Sequence, residues 1–155
     1  MKDKEIDRKI YYYDVQINKE EGNKVVSVND IKEASKLIMD IFKRIKGEND
    51  TYDNEKNKKR KKQLFRDMCL SIGQDTNICI IVDEIKKQEI YFRILMARDN
   101  ALPYIEFEGS IEKLTDIITA DFNMIEITHC VLFVNSMILG AEFNFNGARA
   151  SMMAT

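Results

Sequence analysis

Residues 123–149, NMIEITHCVLFVNSMILGAEFNFNGAR, form the densest apolar run in the chain, and the other segments can be arranged around them. Ile125, Ile127, His129, Val131 and Phe133 alternate with Glu126, Thr128, Cys130, Leu132 and Val134, the period of two of a strand with both faces partly covered. Asn135 and Ser136 fit a two-residue turn, a weaker signal than Asn-Gly. Met137, Leu139, Ala141, Phe143 and Phe145 then share one face of a second strand. A hairpin of this kind can template a sheet, and Phe133 is expected on that sheet's buried face.

Working outward from the hairpin, residues 77–85, NICIIVDEI, read as an interior strand because the apolar run is nearly continuous. Lys86, Lys87 and Gln88 make a short turn, and residues 89–98, EIYFRILMAR, return beside it as the second half of a hairpin. A loop with the only proline, Pro103, leads to a short extended piece at 104–107. Ser110 is expected to cap a helix ending near Ala120, with Ile111, Leu114, Ile117 and Ile118 on one face.

The amino-terminal half supplies what should cover the sheet. Residues 9–17, KIYYYDVQI, read as a first strand. Its three adjacent tyrosines suit either a base-stacking platform or, the expectation here, core packing with one half-exposed ring. Residues 18–24 read as a turn around Gly22. A helix follows, capped by Ser27 or Asn29, with Ile31, Ala34, Leu37, Ile38, Ile41, Phe42 and Ile45 on one stripe and Gly47 as its stop. Residues 48–57 read as a polar loop, and a second helix is expected from about 54 to 72, cationic at its start and amphipathic at its end. The fold class is therefore α+β, a mainly antiparallel sheet of five or six strands with two to three helices packed on it. Residues 1–155 read as one domain. The chain is expected to be the amino-terminal portion of something longer, because residue 148 onward looks like a helix just starting.

Charged residues make up 32% of the chain and nearly cancel, to a net charge of −2, which excludes a simple polybasic protein. The charge is nevertheless uneven. Residues 56–66, KNKKRKKQLFR, are strongly basic, while beyond residue 100 acids outnumber the two cations Lys113 and Arg149. Cys69, Cys79 and Cys130 sit among apolar neighbours without metal spacing, so buried free thiols are expected and no metal site is indicated. The start of the chain lacks a signal-peptide pattern, and no stretch approaches the ~20 apolar residues of a membrane span. A cytoplasmic compartment and no membrane partner are the expectations. One proline, no tryptophan and many lysines, isoleucines and asparagines suggest an AT-rich bacterial or phage coding sequence.

Recognisable catalytic fingerprints are absent, so catalytic residues are not assignable and no cofactor is indicated. His129, alone in mid-strand, is expected to be a satisfied core or half-buried residue. Asp83 and Glu84 with Lys87 and Glu89 resemble the strand carboxylates and lysine of a metal-dependent nuclease, a spacing that also arises around any charged turn. Two clusters stand out. Lys58, Lys59, Arg60, Lys61 and Lys62 are candidate phosphate contacts, set against a merely solvated segment. Asn144, Asn146, Gly147 and Arg149, next to Glu142, are a candidate anion-binding corner where a strand exits, set against a structural turn.

The runs RILMARDNALPYIEF (93–107) and THCVLFVNSMILGAEFNFNGARAS (128–151) resemble the amino-terminal region of a family of uncharacterised bacterial proteins carried on prophages and other mobile elements. The matching positions are Arg98, Leu102 and Pro103, then Thr128 and His129, then Asn144, Gly147 and Arg149, while Cys130 stands where an aromatic residue is expected. The resemblance implies a mobile-element or phage-defence context and a longer chain, but no activity. The function expected on these grounds is a non-enzymatic sensing or nucleic-acid-associated module. The rival is a small metal-dependent nuclease or other hydrolase. Nucleic acid, another protein or a second copy of the chain are the candidate partners.

Overall fold

The computed structural model describes residues 9–72, 77–98, 104–107, 109–113 and 124–142. Strands β1 (Ile10–Asp14), β2 (Asn18–Glu21) and β3 (Lys24–Ser27) lead into helices α1 (Ile31–Asn54) and α2 (Lys58–Met68). Strands β4 (Cys69–Ser71), β5 (Asn77–Ile85), β6 (Glu89–Arg98), β7 (Tyr104–Phe107), β8 (Ser110–Lys113), β9 (Met124–Phe133) and β10 (Ile138–Glu142) follow. One six-stranded sheet has the order β1-β10-β9-β6-β5-β4, every pair antiparallel, and β2-β3 and β7-β8 are separate hairpins. This is the expected α+β architecture.

Register decides which face is the core. Ile90, Phe92 and Ile94 on β6 lie opposite Leu132, Cys130 and Thr128 on β9, and Val82 and Ile80 on β5 face Phe92 and Ile94. Leu139 and Ala141 continue that face on β10, and α1 lays Phe42 on it, with the Phe42 and Phe92 ring centroids 4.9 Å apart. Phe133 points the other way, with Val131 and His129, and is only half-buried. The expectation that it lies on the buried face is corrected. Both faces of β9 are apolar, and a one-residue shift in assignment exchanges them.

The hairpin that organises the sequence closes through a four-residue turn, 134–137, rather than the two-residue turn expected, since Phe133 pairs with Ile138. Met137 takes a positive φ of 52° there, an unusual conformation for a non-glycine residue. Burial of its side chain against Val28 and Ala34 holds it in place. Ser35 Oγ on α1 donates to the Val134 carbonyl at 2.7 Å, tying the turn to the helix.

Three sequence-based boundaries move. Asp30, not Ser27 or Asn29, caps α1, its carboxylate accepting the Lys32 N–H at 2.9 Å. The helix runs through Gly47 to Asn54, 24 residues or roughly 36 Å. Gly47 ends a helix only by adopting the left-handed conformation, and here it does not; Asn49 and Tyr52 make contacts beyond it that hold the last two turns. α2 is shorter than expected at both ends, because Asn57 caps it and Cys69 leaves it to pair with Cys79 on β5. The tyrosine strand is an edge strand with all three rings exposed, so the core placement expected for them is corrected.

Ser110 opens a strand and not a helix. Gly109, at φ 83°, lets the chain reverse tightly, and Ser110 pairs back onto Phe107. The remainder of the expected helix lies outside the described residues. The polar turn expected at 18–24 is itself a hairpin, β2-β3, reversing through Gly22 at φ 62°.

Candidate nucleic-acid interface

The basic run folds as most of α2, an 11-residue helix, KKRKKQLFRDM, in which Lys58, Lys59, Arg60, Lys61, Lys62 and Arg66 face a single acid, Asp67. Lysines at a helix amino terminus oppose the macrodipole, which adds about half a positive charge of its own at that end. Such a start survives only if something else holds it. Asn57 accepts the Arg60 N–H at 3.1 Å, Glu55 pairs with the Arg60 guanidinium at 3.1 Å, and Tyr52 packs against Phe65 with centroids 5.8 Å apart. Lys61 Nζ lies over the Tyr52 ring, 4.8 Å from its centroid. The cationic turns are thereby held by Tyr52 near the end of α1 and by Glu55 and Asn57 in the link that follows it.

α1 is in turn fixed to the sheet edge by a residue that the sequence places in a loop. β4 covers only Asn77–Cys79 of β5, and among the described residues no strand lies beside the outer edge of the residues that follow. The Asn49 side-chain amide fills that place. Its Nδ2 donates to the Ile80 carbonyl at 3.1 Å, and its Oδ1 accepts the Val82 N–H at 2.8 Å. The amide thus makes the two hydrogen bonds that a neighbouring strand would make, at 3% exposure. Just beyond, the register of β5 shifts between Val82 and Glu84, a bulge that ends regular pairing on the β6 side. In the sequence Asn49 is one polar residue between Glu48 and Asp50, and only its spacing of four from Ile45 continues the stripe of α1.

Two shallow grooves flank α2. One is walled by Lys59, Arg60, Lys62 and Arg66 with Glu55 and Asn57. The other combines Lys58, Lys61, Lys62 and Arg66 with the rings of Tyr52 and Phe65, and extends to Cys69 and Asn77. The five residues named as phosphate contacts are all on α2, and the structure adds Arg66 from the next turns. The tyrosines of β1 are at the opposite edge of the sheet, five inter-strand steps or roughly 24 Å away. They do not form one aromatic-lined basic surface with α2.

The other candidates are taken up in structural pairs or fall elsewhere. Asp83 is bound by Arg93, with Nε 2.9 Å from Oδ1 and 3.0 Å from Oδ2 and a further contact of 2.8 Å through the guanidinium. Glu89 accepts a short hydrogen bond from the Tyr91 hydroxyl, which raises the phenol's pKa, and Lys86 lies over the Tyr91 ring. Among the described residues no group of three or more His, Cys, Asp and Glu side chains is placed to hold a metal ion. His129 is exposed, contrary to the core expectation, and its Nδ1 and backbone N–H both lie 2.9 Å from Glu142 Oε1. Asn144, Asn146, Gly147 and Arg149 lie outside the described residues, as do Leu102 and Pro103.

The fold and this surface together define an α+β protein whose basic helical hairpin is docked on one edge of an antiparallel sheet. No family model, curated protein or solved structure matches the chain. Among the described residues no helix is long and apolar enough to cross a membrane.

Proposed function

We propose that the chain is a non-enzymatic nucleic-acid-associated or sensing module of a prophage or phage-defence-type protein, and that α2 lies against the phosphate backbone. The observation carrying this is the concentration of six cations, Lys58 to Lys62 with Arg66, on a helix whose amino terminus is held by Asn57, Glu55 and Tyr52. A cationic segment kept rigid loses less conformational freedom on binding than a solvated tail does. Its contacts go to phosphates and carry no sequence information. The mobile-element context comes from the sequence resemblance alone. The rival metal-dependent nuclease or hydrolase has weaker support, because Asp83 and Glu89, two of the acids it would draw on, are occupied by Arg93 and Tyr91.

The test replaces Lys58, Lys59, Arg60, Lys61 and Lys62 by alanine and measures binding to labelled duplex and single-stranded oligonucleotides at low salt. Binding is expected to fall at least ~100-fold, with the melting temperature held or raised, since alanine relieves both self-repulsion and the clash with the helix dipole. A folded variant that binds as tightly as the original chain would reduce the run to a solvated face. Adding Mg²⁺ or Mn²⁺ to the same mixtures examines the rival, because cleavage of the oligonucleotide would favour it.

A further inference from the structure

β4 and β5 bring two cysteines face to face. Cys69 and Cys79 are direct cross-strand partners, so their side chains leave the sheet side by side on the same face. Opposed residues in an antiparallel ladder have Cα atoms about 4.5 or 5.5 Å apart, and a disulfide spans Cα separations of about 4.4–6.8 Å. The pair therefore lies within the Cα reach of a disulfide. The two thiols differ in access, since Cys79 is 2% exposed while Cys69 is half-buried at the foot of α2. Cys69 also lines the groove that holds Lys58, Lys61, Lys62 and Arg66, so its surroundings attract anionic reagents. Cys130 has neither feature. It is buried on the core face of β9, two strands from β5.

We propose that Cys69 and Cys79 are a reversible redox-modification site, oxidised to a cross-strand disulfide by a low-molecular-weight disulfide that carries carboxylates, of the glutathione type. The Cys69 thiolate attacks one sulfur of that reagent, forming a mixed disulfide and releasing one small thiolate. The Cys79 sulfur then attacks Cys69 and displaces the second small thiolate. Two electrons pass from the protein thiols to the reagent, and the two thiol protons go to the released thiolates. Burial raises both thiol pKa values, that of Cys79 to about 12, and the greater access of Cys69 makes it the attacking group. The product would staple the carboxyl end of α2 to β5, where three residue pairs now hold β4. None of this requires that α2 bind nucleic acid.

The full chain is incubated with excess oxidised glutathione, then denatured, alkylated and analysed by intact mass and tryptic mapping. The expected product carries an alkyl group on Cys130 alone. The tryptic peptide 67–86, which contains both other cysteines, should be unalkylated and two hydrogens lighter than its reduced form, and dithiothreitol should restore it. The Cys79→Ala variant should stop at glutathione attached to Cys69. Alkylation of all three cysteines, a lasting glutathione adduct on the unaltered chain, or disulfides only between chains would overturn the proposal. So would a folded Cys79→Ala chain whose Cys69 takes up no glutathione.

Discussion

Phe92→Ala is expected to lower the unfolding free energy by about 3–5 kcal/mol. Phe92 is 1% exposed on the inner face of β6, between Val82 and Cys130 on the flanking strands, and its ring meets Phe42 of α1. Alanine would leave a cavity at the point where helix and sheet meet, and neither side can close it without moving the other. Phe133→Ala is the control. That ring is half-buried on the opposite face, and its removal is expected to cost below about 2 kcal/mol. Urea unfolding of both variants decides the matter. Equal losses, or the larger loss at Phe133, would mean that the inner face of the sheet has been misassigned.

Asn49→Ala is expected to cost about 2–5 kcal/mol, although it removes only a side-chain amide. The loss leaves the Ile80 carbonyl and the Val82 N–H without partners beneath α1, and each unsatisfied buried group costs about 1–3 kcal/mol. Asn49→Asp adds a pH signature. A protonated aspartic acid accepts from Val82 and donates to Ile80, whereas the ionised form cannot donate and sets its charge against the Ile80 carbonyl. Burial raises the carboxyl pKa in the folded state, so the variant binds protons more tightly folded than unfolded. Its stability relative to the original chain should be greatest in acid and fall as pH rises through that raised value. Urea titrations at several pH values measure this. A loss under about 0.5 kcal/mol for Asn49→Ala would show that water replaces the amide and that α1 is not anchored there.

The sheet was legible where only one assignment fits the residues. The continuous run from Ile78 to Val82, the polar Lys86-Lys87-Gln88 turn and the return from Glu89 fix β5 and β6 to the residue. Where two assignments fit, the sequence was silent. β9 is apolar on both faces, so the burial of Leu132 rather than Phe133 depends on β6 and α1. Gly47 carries a stop signal in sequence, yet helix continues because Asn49 and Tyr52 find partners more than a turn of chain away, in β5 and α2. Ser110 has a capping side chain, but Gly109 before it suits a hairpin better. Of the candidate site, the charge of α2 was plain from composition. Its rigidity was not, since beside the local Asn57 cap and Glu55–Arg60 pair it rests on Tyr52 of α1 meeting Phe65 and Lys61.

The most direct measurement of the proposed role is the salt dependence of binding to a short duplex. Each neutralised phosphate contributes about −0.9 to the slope of log K against log salt. If four to six of the α2 cations contact phosphates, the slope should be roughly −4 to −5, and a fourfold rise in salt should weaken binding by about 250- to 1,000-fold. The alanine-substituted chain, which keeps Arg66, should show a slope no steeper than about −1. Undetectable binding at low salt, or a slope shallower than about −1 for the original chain, would contradict a phosphate-binding role for α2.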